Sequence, residues 1–83
     1  MKFMVVSEQV TDLKEDARSE LYEAMNQFYS NIPPGVRLEK DYIRADRLGS
    51  YSILEVENRE AVTAVMAPFD GLVHAQIIEL IGD

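Results

Sequence analysis

The run from Leu72 to Ile81, LVHAQIIELI, is the most apolar stretch of the chain and contains its single histidine, His74. Ten residues with two adjacent isoleucines and few charges are typical of a β-strand that is apolar on both faces. A strand of this kind needs a cover on each side. One layer of helices covers one side, and a second copy of this 83-residue chain is the simplest cover for the other. The rest of the sequence is interpreted around this requirement.

The overall composition limits the class of protein. The chain is expected to form one domain over residues 1–83, and its hydrophobic content of 47% is typical of a globular fold. It has no cysteine, which excludes disulfides and thiolate metal sites. A net charge of -7 disfavours nucleic acid and anionic membranes as partners. The apolar run from Phe3 to Val6 is too short for a signal peptide or a membrane span, so we expect a cytoplasmic protein.

The first half of the chain predicts a strand followed by a long helix. The strand covers Lys2–Ser7, whose apolar residues at successive positions predict a central place in the sheet. The helix is predicted from Asp12 to about Ser30, with Glu15 completing a capping box at its start. Asn31 is expected to take a left-handed conformation at its end. Seven apolar residues repeat at spacings of three and four and predict the buried face: Leu13, Ala17, Leu21, Ala24, Met25, Phe28 and Ile32. Two tyrosines flank that face and are expected to pack at its rim: Tyr22 and Tyr29.

The second half predicts a hairpin, a shorter helix and the last strand. The hairpin strands cover 36–45 and 50–57, joined by a type I turn over Asp46–Gly49. Simple alternation puts Lys40, Tyr42 and Arg44 on the face of Val36 and Leu38, and the charges on both faces indicate an edge strand. The helix is expected to begin after an Asn58 cap and to end before Pro68. Its predicted buried residues are Ala61, Val62, Val65 and Met66.

The predicted order of elements is β-α-β-β-α-β. Right-handed crossovers place both helices on one face of a four-stranded antiparallel sheet, which is the ferredoxin-like α+β arrangement. The second and fourth strands are expected at the two edges. The other sheet face keeps apolar residues without a cover, so we expect a homodimer in which two sheets pack face to face.

Three stretches resemble a known superfamily: the opening Met1–Val6, the Pro33–Val36 approach to the second strand, and the Pro68–Leu72 approach to the last strand. They are similar to short uncharacterised bacterial members of the dimeric α+β barrel superfamily. That superfamily includes antibiotic-biosynthesis monooxygenases, muconolactone isomerases, stress-responsive barrel proteins and the ligand-binding domain of leucine-responsive regulators. The resemblance implies a dimeric barrel with a ligand cavity between sheet and helices. It does not extend to the haem-degrading members, because the chain has no tryptophan and no Asn-Trp-His-type site.

His74 and Tyr51 are the candidate catalytic residues. A neutral imidazole near pH 7 serves as a general base, and the Tyr51 hydroxyl would orient an oxygen of the substrate. The alternative for both is structural, as a hydrogen-bonded histidine and an amphipathic interface tyrosine. One histidine without cysteine makes a poor metal shell, so we expect no metal and no cofactor.

Tyr42, Arg44 and Gln76 are the candidate ligand-binding residues. Tyr42 lies on the strand that pairs with the strand of Tyr51, and Gln76 shares the strand face of His74. Arg44 belongs to a local group of basic residues that would attract a carboxylate. The alternative for that group is a solvated hairpin neutralised by interleaved acids. The basic residues are Arg37, Lys40, Arg44 and Arg47, and the acids are Glu39, Asp41 and Asp46.

Three functions remain open from the sequence. The first is a module that binds a small apolar or aromatic molecule in a cavity beside the sheet. The second is a cofactor-independent monooxygenase or isomerase with His74 as its base. The third is a structural dimer without a ligand. Binding ranks first, because no second acid or base stands at a recognisable spacing from His74.

Overall fold

The computed structural model describes residues 1–82, and its order of elements confirms the predicted β-α-β-β-α-β pattern. The elements are β1 (Lys2–Gln9), α1 (Glu15–Ser30), β2 (Val36–Ile43), β3 (Gly49–Val56), α2 (Arg59–Met66), a 3₁₀ turn (Ala67–Phe69) and β4 (Val73–Leu80).

The strands form one antiparallel sheet in the order β2-β3-β1-β4, with β1 in the interior and β2 and β4 at the edges. Both helices pack on the same side, which we call the helix side. The opposite side is called the open face. This is the ferredoxin-like α+β fold. The core of the helix side is formed by Phe3, Val5, Leu54 and Val56 from the sheet and Val62 and Val65 from α2, with Phe28 of α1 packed against them.

Helix α1 turns most of the predicted apolar face inward, but it begins later than predicted, and Ile32 lies beyond its end and is exposed. Leu21 is buried, and the only other α1 residues that are not exposed are Ala17, Ala24, Met25 and Phe28. The capping box at Asp12 is wrong, because Lys14 is the N-cap and makes no side-chain cap bond. The first helical hydrogen bond runs from the Arg18 N–H to the Lys14 carbonyl, so Asp12 lies too far upstream to cap it.

The end of α1 also differs from the prediction. Asn31 has φ -148° and ψ 67°, which lies outside the left-handed region, and its N–H bonds to the Gln27 carbonyl at 3.0 Å. The left-handed residue of this connection is Gly35, with φ +80°. Glycine takes that conformation without the steric cost that a Cβ brings, so the reversal is made four residues later than predicted.

A β-bulge between Leu38 and Lys40 corrects the predicted faces of β2. Val36 and Leu38 lie on the helix side, opposite Val56 and Leu54. After the bulge Lys40 lies opposite Ile53, on the open face. One extra residue reverses the alternation that follows it. Asp41 and Ile43 therefore lie on the helix side, and Tyr42 and Arg44 lie on the open face, which is the reverse of what simple alternation predicts.

The β2–β3 hairpin turns slightly earlier than predicted. The Arg47 N–H bonds to the Arg44 carbonyl at 2.9 Å, so the tight turn spans 44–47 and not 46–49. The Asp46 side chain accepts the Leu48 N–H at 3.0 Å and holds the next step of the loop. Gly49 is the first residue of β3, where a Cβ would lie 2.4 Å from the Ser7 carbonyl oxygen. Strand β1 therefore lies too close for any side chain at position 49, which explains why the residue there is glycine.

Helix α2 follows the prediction. Asn58 caps it by accepting the Ala61 N–H at 3.0 Å, and the helix ends at Met66 before the turn that contains Pro68. Val62 and Val65 are its buried residues. Beyond it, β4 is exposed on both sides. The prediction that helices cover one side of this strand is wrong for Ala75 and Ile77, which lie at the sheet edge and are exposed.

Candidate ligand cavity and open sheet face

A cavity of about 150 Å³ lies between the helix side of the sheet and the helices. Apolar side chains dominate its walls, and both helices, the 3₁₀ turn and all four strands contribute to it. The apolar lining residues are Val5, Leu21, Met25, Phe28, Ile43, Leu54, Val65, Met66, Phe69 and Val73. Such a mixture of apolar walls and a few polar groups is typical of small-molecule sites.

The polar part of the lining includes three serines on the sheet, together with Glu8, Gln9, Tyr29 and Arg47. Ser7 of β1 lies directly opposite Ser50 of β3, and Ser52 follows two residues along the same strand. All three line the cavity and are half-buried. Strand alternation places them on the helix side with Phe3, Val5 and Leu54. They form a polar floor on the sheet side of the cavity.

One carboxylate joins this floor to α1. Asp41 accepts hydrogen bonds from the Tyr29 hydroxyl at 2.6 Å and from Ser52 Oγ at 2.7 Å. Partial burial, followed by the hydrogen bond and the negative charge of Asp41, raises the pKa of Tyr29 to about 12. Tyr29 is therefore a neutral phenol at physiological pH, with its proton directed at Asp41.

Arg47 lines the cavity from the hairpin. Its φ of +62° is the one positive value outside glycine among residues 1–82, and the residue is exposed. The cavity therefore reaches solvent beside the hairpin, where a molecule has a path to the interior.

The five candidate residues predicted from the sequence lie on the open face. Tyr42 pairs with Tyr51, Tyr51 lies opposite Val6, and Val6 lies opposite Gln76, which gives one row across the sheet. His74 belongs to the neighbouring row, opposite Glu8. Tyr51 and the strand of His74 are separated by β1, and two strand spacings amount to about 10 Å. The structure therefore pairs the two tyrosines directly and keeps His74 apart from them.

Arg44 is engaged in ion pairs at the end of the open face. It lies 2.5 Å from Asp46 and 3.3 Å from Glu8. The bond from the Leu48 N–H, and then the Arg44 guanidinium, hold the pKa of Asp46 below its usual range. Arg37 likewise pairs with Glu39 at 3.5 Å. Both arginines are therefore neutralised by acidic residues of the hairpin region, as the structural alternative predicts. Asp41 departs from that interpretation, because it bonds Tyr29 and Ser52 instead.

None of the five candidate residues lines the cavity, and their proposed roles stay predictions. His74 borders a more open groove of about 620 Å³ between α2 and the edge of β4, which shares Met66, Phe69 and Val73 with the cavity lining. The residues that sequence reasoning missed are Ser7, Ser50 and Ser52 with the Asp41–Tyr29 pair. The signal for the serines was present, because they share strand parity with buried Val5 and Leu54. No such signal existed for Asp41, because the bulge moves this residue to the face opposite to the one that alternation predicts.

Residues 1–82 contain neither a metal-binding cluster of acidic and histidine side chains nor a membrane-spanning helix. No three His, Asp or Glu side chains converge in a way that could hold a metal ion within this part of the chain. None of its helices has the length and apolar character needed to cross a membrane.

Fold and cavity together define a small ferredoxin-like α+β protein with an internal apolar space. Over residues 1–83 the chain matches the family described as Domain of unknown function (DUF3303), and it belongs to that family. A comparison with curated proteins found no match.

Proposed function

We propose that this protein is a cytoplasmic homodimer that binds a small apolar or aromatic molecule in the cavity between sheet and helices. The cavity itself carries the proposal. An apolar cavity of about 150 Å³ is large enough for a benzene-sized ring. Water that enters the cavity from the hairpin side meets mostly apolar walls, so its replacement by a ring of matching size is favourable.

A second copy of the chain is the proposed cover of the open face. Tyr42 and Tyr51 are 58% and 45% exposed there, beside Ile53 and Met4 in the next row. Soluble monomers rarely expose a contiguous apolar patch of this kind. A second sheet would bury this band face to face.

The charged margin of the open face supports the same partner. Oε2 of Glu39 and Oε2 of Glu55 are buried and accept no hydrogen bond from residues 1–82, although Glu39 Oε2 lies 3.3 Å from Lys2 Nζ. Lys40 lies on the same face, next to Glu39, and forms no ion pair with the described residues. The two buried oxygens are out of reach of a second chain, but the exposed Lys40 ammonium is a donor that a two-fold related chain would pair with an acceptor of its own.

The enzyme alternative ranks below binding. His74 is exposed on the edge strand and borders the open groove, and by strand parity its side chain belongs to the other face of the sheet from most of the cavity lining. A general base must lie within hydrogen-bond reach of the proton that it removes. A molecule in the cavity would not meet that condition with His74.

Ligand binding is tested with toluene as the probe. Its binding should raise the melting temperature, followed by circular dichroism, in proportion to the logarithm of its concentration above Kd. Met25→Trp partly fills the cavity from α1 and should reduce that rise. Tyr22→Trp, at an exposed position of the same helix, is the matched control and should leave it unchanged. No rise in the parent protein with any small aromatic probe would overturn the proposal.

The dimer is tested by light scattering at tens of micromolar protein. The parent chain should have the mass of two copies. Tyr51→Asp puts a charge in the centre of the open face and should give one copy, whereas Tyr22→Asp on α1 should remain a dimer. A single-chain mass for the parent protein would exclude the face-to-face pairing.

A further inference from the structure

Two serine hydroxyls on the cavity floor are free to bind an occupant. Ser7 and Ser50 are directly opposed partners on β1 and β3, and both line the cavity. Their side chains make no hydrogen bond to other residues in the 1–82 range, whereas the Ser52 hydrogen is donated to Asp41. Directly opposed residues hold their Cβ atoms about 5 Å apart. One ligand hydroxyl can therefore donate to one serine and accept from the other.

The rest of the cavity favours a flat ring. Leu21, Met25 and Phe28 of α1 face the sheet across the space, and Phe69 of the 3₁₀ turn closes another side. Methionine and aromatic side chains make favourable contacts with a ring. The volume of about 150 Å³ limits that ring to a single one with small substituents.

The charges around the floor favour a neutral ligand. The Asp41 carboxylate bonds to Ser52 and Tyr29, which both line the cavity, so a negative charge lies beside the polar floor. A second anion placed against Ser7 and Ser50 would be repelled in a partly desolvated space. Arg47 is exposed at the hairpin, where solvent screens its attraction.

From this arrangement we infer that the cavity selects a neutral monocyclic phenol, whose ring packs under α1 and whose hydroxyl bonds to Ser7 and Ser50. This inference rests on the proposed binding function and names the ligand class. A wholly apolar cavity would instead prefer a ring without a hydroxyl, such as toluene, because a buried hydroxyl without a hydrogen-bond partner is unfavourable.

The test compares phenol, toluene and benzoate by isothermal titration calorimetry at neutral pH, on the full chain. Two hydrogen bonds of ordinary net strength predict that phenol binds about thirtyfold more tightly than toluene. The double variant Ser7→Ala/Ser50→Ala should bind toluene at least as well as the parent and lose the preference for phenol. The exposed serine pair on α1, in Ser19→Ala/Ser30→Ala, is the matched control and should keep it. Retained toluene binding by the first double variant shows that its cavity is intact.

Each other outcome overturns the inference in a distinguishable way. Equal binding of toluene and phenol by the parent protein would leave the cavity function standing and exclude the serine pair as its selector. Preference for benzoate would assign selection to Arg47 and exclude a neutral ligand. Binding of none of the three probes would overturn the inference and the proposed function together.

Discussion

The Tyr29 hydroxyl donates a hydrogen bond of 2.6 Å to Oδ2 of Asp41 and thereby links α1 to the edge strand β2 beside the cavity. The same carboxylate accepts from Ser52 on β3, so one side chain connects a helix and two strands. The bulge at Glu39 makes this possible, because without it Asp41 would face away from α1.

Tyr29→Phe should change the alkaline behaviour of the protein. The pKa of Tyr29 is about 12, above its ordinary value of 10.0, so its neutral form stabilises the fold. That contribution is complete below pH 10.0 and is lost as the pH rises towards about 12. Since the side chain is about half exposed, we expect a stability difference of only about 1 kcal/mol near neutral pH.

The measurement is tyrosinate absorbance against pH together with urea unfolding at neutral and alkaline pH. The titration at about 12 should vanish in Tyr29→Phe and remain in Tyr22→Phe. A stability difference between parent and Tyr29→Phe that grows with pH would contradict the assigned hydrogen bond.

Leu54→Ala and Leu48→Ala make the same chemical change at a buried and at an exposed position. Leu54 is 2% exposed within the core, and Leu48 is 44% exposed in the hairpin. Truncating the first should lower the free energy of unfolding by about 2–5 kcal/mol. The second should cost less than about 1 kcal/mol. Urea denaturation measures both, and equal losses would mean that the assigned core is wrong.

Asn58→Ala should destabilise the start of α2. Its side chain accepts the Ala61 N–H, and loss of such a cap costs about 1 kcal/mol. Asn31→Ala is the matched control, because Asn31 bonds to α1 through its backbone. Thermal unfolding of both variants checks this, and an effect of Asn31→Ala as large as that of Asn58→Ala would refute the cap.

Gly49→Ala should destabilise the sheet at the hairpin. The added Cβ would lie 2.4 Å from the Ser7 carbonyl oxygen, which forces β1 and β3 apart. Overpacking of this kind costs about 1–3 kcal/mol. The neighbouring Ala45→Ser at the exposed hairpin is expected to be nearly neutral. An unchanged melting temperature for Gly49→Ala would show that the strands separate at little cost.

The order of elements and the α1 face could be predicted because they follow from local periodicity. Leu21, Met25 and Phe28 recur at helical spacing, and Asn58 and Pro68 mark the ends of α2 by their own backbone chemistry. The start of α1 was misplaced because Asp12 and Glu15 satisfy the capping pattern, whereas the chain takes a turn through Asp12 before the helix begins. Local pattern does not reveal which of two nearby starts the packing selects.

The candidate site was predicted only in part. The sequence did not predict that the five candidate residues share a sheet face. The bulge brings Tyr42 and Arg44 to the face of Tyr51, His74 and Gln76, and the cavity lies on the other face. Strand parity would have been enough to place Ser7 and Ser50 with the core residues, although the sequence analysis missed them, but it could not show that the two are opposed partners. Register between distant strands is a property of the assembled sheet.

The sequence by itself determined a ferredoxin-like α+β fold with an apolar helix face and a central first strand, because these depend on the spacing of apolar residues along the chain. The tertiary structure alone decided where α1 begins, which way β2 faces beyond Glu39, and that Ser7, Ser50 and Asp41 meet beside an apolar cavity. A single inserted residue reverses a strand's faces, and a cavity is what remains between elements after they pack. Both arise from contacts between residues that are far apart in the chain.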